Sequence, residues 1–189
     1  LALGYTKIED INIDLDYWIK QCYKYKNEVC IESKNRSSVG GYQSDSSIYK
    51  HPTFKSLTQF LNSALLKSNL TKDPTIKINN MWINISNYGH YNKIHTHQIF
   101  PQFFTEFSGI LYLKVKENNG GLLSFKNPLD INMEYTHVPK NGQLVLFPSY
   151  LPHEVTVYLG KEDRISLSFN YNMYGTTTDN ISNLKKNIK

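Results

Sequence analysis

The sequence predicts a mainly β protein, an all-β sandwich or barrel with two helices packed against one sheet face. Two patterns carry this expectation. From Asp73 onward, short apolar runs alternate with turn residues at regular spacing, as successive strands do. Before Asp73, two segments place apolar residues three or four positions apart, as a helix with one buried face does. With 189 residues, 40% of them apolar, the chain suits one domain with a sizeable core.

The first helix is expected in "DLDYWIKQCYKYKNEV". There Leu15, Trp18, Ile19 and Cys22, then Val29, supply the apolar face, and Asp14 stands where an N-cap would. "SKNRSSVGGYQSDSS" has the glycine and serine content of an ordered loop. In "HPTFKSLTQFLNSALLKSN", residues Phe54, Leu57, Leu61, Ala64 and Leu65 share one helix face. Pro52 fits the first turn, where its missing N–H costs nothing. The strands follow as "TIKINNMWINIS", "SGILYLKVK", "GLLSFKNP", "GQLVLFPS", "HEVTVYL" and "RISLSFNYN". The turns "NNGG", "KNG" and "LGKED" lie among them. The expected organisation is a single domain, 1–189. Residues 1–72 form a helical flanking region with the GGYQS loop, 73–175 the β core, and 176–189 a basic, solvated tail.

Composition narrows the function. No stretch approaches the ~18 consecutive apolar residues of a membrane span, and "LALGYTK" is too short for a signal-peptide core. Cys22 and Cys30 match neither a zinc nor a CxxC spacing. Two buried thiols in a reducing compartment, and hence a cytoplasmic protein, are expected. The net charge of +5 can assist contact with nucleic acid, although a basic surface alone accounts for it. Neither a membrane nor a nucleic-acid partner is expected, and the oligomeric state, a dimer included, stays open.

Chemistry concentrates in "YGHYNKIHTHQIF", which holds three of the six histidines. On a strand, the two-residue spacing of His95 and His97 puts both rings on one face, half of a metal site. His153, in "FPSYLPHEVTVYL", follows a turn and opens a strand. It completes a facial set if that strand lies beside the one carrying His95. Iron(II), zinc, cobalt and copper all accept imidazole, and an HxH pair alone also arises by chance. "RISLSFNYN" alternates strictly, with Arg164, Ser166, Ser168, Asn170 and Asn172 on one face and Ile165, Leu167, Phe169 and Tyr171 on the other. Either the polar face meets water, or it lines a cavity while the apolar face packs on the helices. In the second case Arg164, with a hydroxyl two residues on, can clamp a carboxylate through its planar fork.

Taken together, "WINISNYGHYNKIHTH", "SGILYL", "GLLSF", "GQLVLFPSYLPHEV" and "DRISLSFN" resemble the iron(II)- and 2-oxoglutarate-dependent oxygenases. Within them the chain is most similar to a branch common in marine bacteria and their phages, which reads N-x-H-x-H, then an SGVYY-like strand, then LFPS…H…RIS. "VGGYQS" also resembles a segment of that branch, and the likeness covers about residues 38 to 173. The resemblance implies a double-stranded β-helix, the jelly roll shared with cupins. It implies iron(II) held by His95, His97 and His153, with 2-oxoglutarate as cosubstrate and O2 as oxidant. The cosubstrate's distal carboxylate would meet Arg164 and Ser166. Tyr112 sits where a phenol can also reach it, and Asn84 is a further pocket candidate. The implied activity is a 2-oxoglutarate-dependent dioxygenase, a hydroxylase of a small-molecule or peptidyl substrate that releases succinate and CO2. The alternatives are a non-catalytic metal- or ligand-binding jelly-roll module and, less favoured, a zinc hydrolase or cupin-like isomerase.

The sequence departs from the superfamily pattern in two places. The usual facial set is two histidines and one carboxylate, but the carboxylate position here is His97. Three neutral imidazoles leave the site one unit more positive, which favours a dianionic cosubstrate and also admits zinc. Glu106 is too far along the chain to be expected as a ligand. The second departure is the longer connection "QIFPQFFTEF", with four phenylalanines. It reads equally as a lid over the site, Gln98 to Phe107, and as a loop packing its own cluster.

Overall fold

The computed structural model describes residues 6–29, 32–33, 37–97 and 105–173. In chain order the elements are β1 (Lys7–Asp10), α1 (Leu15–Val29), β2 (Ser38–Val39), β3 (Tyr42–Gln43) and α2 (Lys55–Lys67). They continue as β4 (Ile76–Ser86), β5 (Tyr91–His95), β6 (Phe107–Lys114), β7 (Leu123–Asn127), β8 (Asp130–His137), β9 (Gln143–Pro148), β10 (His153–Val155) and β11 (Arg164–Met173). Two antiparallel sheets result. The six-stranded one has the order β1-β9-β6-β11-β4-β3, and the five-stranded one β2-β5-β10-β7-β8. Chain-distant strands pair in both, as in a jelly roll, and the mainly β expectation holds.

Both helices form where the apolar spacing places them. The Asp14 carboxylate accepts the Tyr17 N–H at 2.9 Å, capping α1. A short 3₁₀ turn, Pro52–Phe54, leads into α2. Past α2, Asn69 takes the left-handed conformation, φ 60°. An asparagine tolerates this at a helix end better than other non-glycine residues do.

The helices bury Trp18, Cys22, Tyr25, Leu57, Leu61, Ala64 and Leu65 against one face of the six-stranded sheet. That face supplies Met81, Ile83 and Ile85 from β4, Leu111 and Leu113 from β6, Leu144 and Leu146 from β9, and Ile165, Leu167, Phe169 and Tyr171 from β11. Each fully buried aliphatic or aromatic side chain here stabilises by about 1.5–3 kcal/mol. The Tyr171 hydroxyl donates to the Leu61 carbonyl at 2.7 Å, tying β11 to α2. Because the strands alternate, their other side chains enter the space between the sheets. Ile110, Tyr112, Val145 and Phe147 meet Leu123, Phe125 and Leu151 there in a second apolar cluster.

Three findings refine the expected organisation. The segment 1–72 also contributes strands, since β1 pairs with β9, β2 with β5 and β3 with β4. The GGYQS loop is therefore part of both sheets. β8, in "DINMEYTH", pairs with β7 as an edge strand that the apolar pattern did not announce. Cys22 is buried as expected, whereas Cys30, the tail 176–189 and most of the Phe-rich connection, 98–104, lie outside the described residues. The end of that connection is built into the sheet. Phe107 opens β6 opposite Tyr171 and packs on the helix-side core. Among the described residues no helix is long and apolar enough to cross a membrane.

Candidate active site

β10 lies between β5 and β7, with His153 directly opposite His95 in one ladder and Phe125 in the other. This is the strand neighbourhood that the three-histidine reading required. β5 ends at His95, so His97 lies just past the strand. Its backbone N–H donates to the Ser149 carbonyl at 3.0 Å, which fixes the chain there. One ring nitrogen from each of His95, His97 and His153 falls within 4.8 Å of the others.

Each ring is oriented by its second nitrogen. His95 Nδ1 donates to the Lys93 carbonyl at 2.7 Å, and His153 Nδ1 donates to the Leu151 carbonyl at 2.9 Å. His97 Nδ1 donates to Asn170 Oδ1 at 2.6 Å and lies 2.8 Å from Ser108 Oγ. Ser108 in turn donates to Asn170 Oδ1 at 2.8 Å and meets the Ser149 hydroxyl at 2.8 Å. Carbonyl oxygens only accept, so each Nδ1 carries the hydrogen and each Nε2 keeps its lone pair. Two of those lone pairs face each other, with His95 Nε2 and His97 Nε2 3.1 Å apart.

A proton shared between them is disfavoured. Burial, and then the neighbouring His95, push the His97 ring down to about 3. Burial, then His97 and His95, hold His153 well below its ordinary value, and burial lowers His95. Three converging neutral donors with fixed tautomers fit a divalent cation of the imidazole-accepting kind, and the Nδ1 bonds supply the outer-shell support such ligands use. Among the described residues the cluster comprises the three histidines alone, with no carboxylate in it. Glu106 stays out: its N–H donates to the Tyr171 carbonyl, and burial and then Asp73 raise its carboxyl.

β11 turns its polar face inward, as the second reading of its alternation required. Arg164, Ser166, Ser168, Asn170 and Asn172 are all buried. Arg164 is only 4% exposed, yet it forms no ion pair with any described residue, and its Nε finds no hydrogen-bond partner. Its guanidinium lies 5.3 Å from the centre of the Tyr112 ring. Burial lowers its pKa, Tyr112 and Tyr158 oppose that shift, and no carboxylate contributes. A buried cation without a counter-ion is costly, so this geometry suits an incoming anion.

Ser166 pairs with Tyr112 on one side and Asn84 on the other, so the four predicted clamp residues are adjacent on the inner face. The Tyr112 hydroxyl and Asn84 Oδ1 are buried without partners, while Asn84 Nδ2 donates to Ser168 Oγ at 3.0 Å. Burial pushes the Tyr112 phenol up to about 12, with nearby Arg164 pulling the other way, so it remains a donor. Gly121, φ +65°, closes over Arg164: a Cβ there would lie 2.9 Å from Arg164 Nε.

His90 and His137 stand apart from the centre. His90 Nδ1 accepts the Asn87 N–H at 3.0 Å, and His137 Nε2 meets Gln143 Oε1 at 2.7 Å. Sequence reasoning missed the Ser108–Ser149–Asn170 support under His97, although Asn170 was already placed on the inner face. It also missed Trp82, whose ring lies edge-on to His97 at 5.6 Å. Its signal was alternation on β4, where Trp82 and Asn84 share a face.

Residues 80–170 match the model of a family described as "Putative 2OG-Fe(II) oxygenase". Among solved structures, the chain is similar to a prolyl-4-hydroxylase from Pseudomonas putida (TM-score 0.72, 18% identity, covering 92% of this chain and 96% of that one). It is similar to the viral collagen prolyl hydroxylase of Paramecium Bursaria Chlorella virus-1 in its 2OG complex (0.63, 16%, 88% and 94%). It also matches a prolyl hydroxylase from Trichoplax adhaerens in complex with a hypoxia inducible factor oxygen degradation domain peptide fragment (0.68, 14%, 92% and 87%). At these identities the structural likenesses establish the fold. A comparison with curated proteins gives no match.

Proposed function

We propose, from the match of residues 80–170 to the model of a putative 2OG-Fe(II) oxygenase family, that His95, His97 and His153 hold iron(II) while Arg164, Ser166, Tyr112 and Asn84 hold 2-oxoglutarate. The protein is then a 2-oxoglutarate-dependent dioxygenase that hydroxylates a small-molecule or peptidyl substrate. The prolyl hydroxylases among the structural relatives make a peptidyl substrate the first to test. Iron(II) with 2-oxoglutarate supplies the oxidising chemistry, consuming O2 and releasing succinate and CO2.

The chain's own residues bind, orient and shield. The Nδ1 bonds of the three rings aim their Nε2 atoms at one point. Arg164 offers a charge-assisted fork for the distal carboxylate, with Ser166 and Tyr112 as further donors. Phe125 and Phe147 flank His153 at ring separations of 6.1 and 4.8 Å and keep water from that side. The observation that carries the reading is Arg164, a buried cation on the inner face without an acidic partner among the described residues.

A zinc site has one observation in its favour, since three imidazoles are also a catalytic zinc donor set. It gives the unpaired Arg164 no task, so the oxygenase reading is preferred. The test is anaerobic titration of the iron(II)-loaded protein with 2-oxoglutarate, followed by admission of O2. A new visible absorbance band on titration, and succinate after O2, are expected. Binding of neither iron(II) nor 2-oxoglutarate would refute the assignment.

A further inference from the structure

Resting on the three histidines as metal ligands, we propose that Asn170 is a positioning residue that keeps this centre free of negative charge, so that metal and dianionic cosubstrate are taken up as a strongly coupled pair. Asn170 is buried directly beneath His97. Its Oδ1 accepts the His97 Nδ1–H at 2.6 Å and the Ser108 hydroxyl at 2.8 Å, and Ser149 completes the chain. This fixes the ring that replaces the usual carboxylate ligand. Metal-bound histidines commonly donate their second N–H to a carboxylate or a carbonyl, and a carboxylate there also raises the basicity of the ligand. A carboxamide orients the ring equally well but brings no charge.

The full charge that the inner face does hold is positive, the unpaired guanidinium of Arg164. An entering divalent ion therefore meets three neutral donors and a cation of its own sign, in an interior where charges interact more strongly than in water. A dicarboxylate answers both deficits at once, pairing one end with Arg164 and bringing the other to the metal. Linkage then requires that each ligand tighten the other by the same factor. Ligation of the metal by the dicarboxylate couples the two in any such site. What Asn170 sets is how weakly the metal binds alone, and hence how large the coupling becomes.

The experiment is anaerobic cobalt(II) binding to the purified protein, followed by its visible spectrum and by calorimetry, with and without saturating 2-oxoglutarate. The parent should bind cobalt(II) more than about tenfold tighter with 2-oxoglutarate present. Asn170→Asp keeps both accepted hydrogen bonds and adds the charge. It should bind cobalt(II) alone about tenfold tighter than the parent, with a coupling factor smaller by a similar amount. Asn170→Leu removes the acceptor and should weaken cobalt(II) about 10–100-fold with or without 2-oxoglutarate. Arg164→Gln should reduce the coupling to the part that ligation alone supplies, yet bind cobalt(II) alone at least as tightly as the parent.

An Asn170→Asp protein with parental affinity and parental coupling would overturn the proposal. So would an Arg164→Gln protein that binds cobalt(II) alone more weakly, and this arm serves if Asn170→Asp does not fold. A parent that binds neither ligand instead removes the oxygenase assignment itself. A parent that binds both, with unresponsive variants, removes only this inference.

Discussion

Replacing Arg164 separates the two roles a buried arginine can have. If it holds the fold together, Arg164→Ala lowers Tm and unfolds the protein. If it waits for a carboxylate, the damage falls on ligand affinity. The structure favours the second outcome: the guanidinium is 4% exposed, has no ion pair among the described residues and leaves Nε unpartnered. No internal salt bridge is lost on truncation, so little stability goes with it apart from packing against the Tyr112 ring. Removing the charged partner of a desolvated carboxylate costs about 2–5 kcal/mol. That is roughly thirty-fold to several-thousand-fold in the Kd for 2-oxoglutarate. Arg164→Lys keeps the charge but loses the planar fork, and should fall between parent and alanine. Ser166→Ala removes one ordinary hydrogen bond, about 0.5–1.5 kcal/mol. The assay is anaerobic calorimetry with metal saturating, paired with a thermal melt without ligand. Parental 2-oxoglutarate affinity in Arg164→Ala would refute the clamp.

Further expectations follow from the same contacts. His95→Ala, His97→Ala and His153→Ala should each sharply weaken iron(II) binding in an anaerobic titration, while His90→Ala and His137→Ala hold iron(II) as the parent does, since neither ring touches the cluster. Gly121→Ala should lower both stability, by about 1–2 kcal/mol for its left-handed φ, and 2-oxoglutarate affinity, because the new Cβ would displace Arg164; a melt and a calorimetric titration read the two. Tyr171→Phe should cost about 0.5–1.5 kcal/mol by removing one buried hydrogen bond between β11 and α2, read by urea denaturation, with iron(II) affinity unchanged. Burial raises the Tyr112 phenol to about 12, so it stays protonated as pH passes the ordinary tyrosine value of about 10. The affinity difference between parent and Tyr112→Phe should therefore hold from about pH 8 to about pH 10; a difference that vanishes over that range would show an ordinary phenol.

What could be read from the sequence was whatever periodicity encodes. The faces of α1 and α2 were legible because burial on one side forces a spacing of three or four, and Trp18, Cys22, Leu57, Leu61 and Leu65 obey it. Most strands of the core were legible as apolar runs. β8 was not, because "DINMEYTH" holds no contiguous apolar run and carries only the alternating Ile131, Met133 and Tyr135 of an edge strand. β2 and β3 escaped for a related reason: two-residue strands in a glycine-rich loop have no period, and their pairing is a tertiary event. The ligand trio was half legible. HxH spacing pointed to the first pair, although His97 lies past the end of β5 and is held by the Ser149 carbonyl, and only the β5–β10 register brings His153 opposite His95. The support beneath His97 was not legible, because Ser108, Ser149 and Asn170 come from three separate stretches and each looks ordinary alone.

Strand alternation in β11 admitted two opposite arrangements, and the helices decide between them. An apolar face of Ile165, Leu167, Phe169 and Tyr171 can be buried against α1 and α2 or between the sheets, but not both. The space between the sheets already holds Ile110, Val145 and Phe147 from β6 and β9, strands that are apolar on both faces. With the helix-side cluster formed, the polar face of β11 has no solvent to turn to and must line the interior. There it leaves Arg164 Nε and Asn172 Oδ1, with Tyr112 Oη and Asn84 Oδ1 from the strands on either side, buried and unpartnered. Each such group costs about 1–3 kcal/mol unmade, a burden that packing on the opposite face sustains. The stability of the helix-side core is thus what allows the inner face to remain unsatisfied until a ligand arrives. The helices are therefore not peripheral: their packing lets an arginine lie buried there with no acidic partner among the described residues.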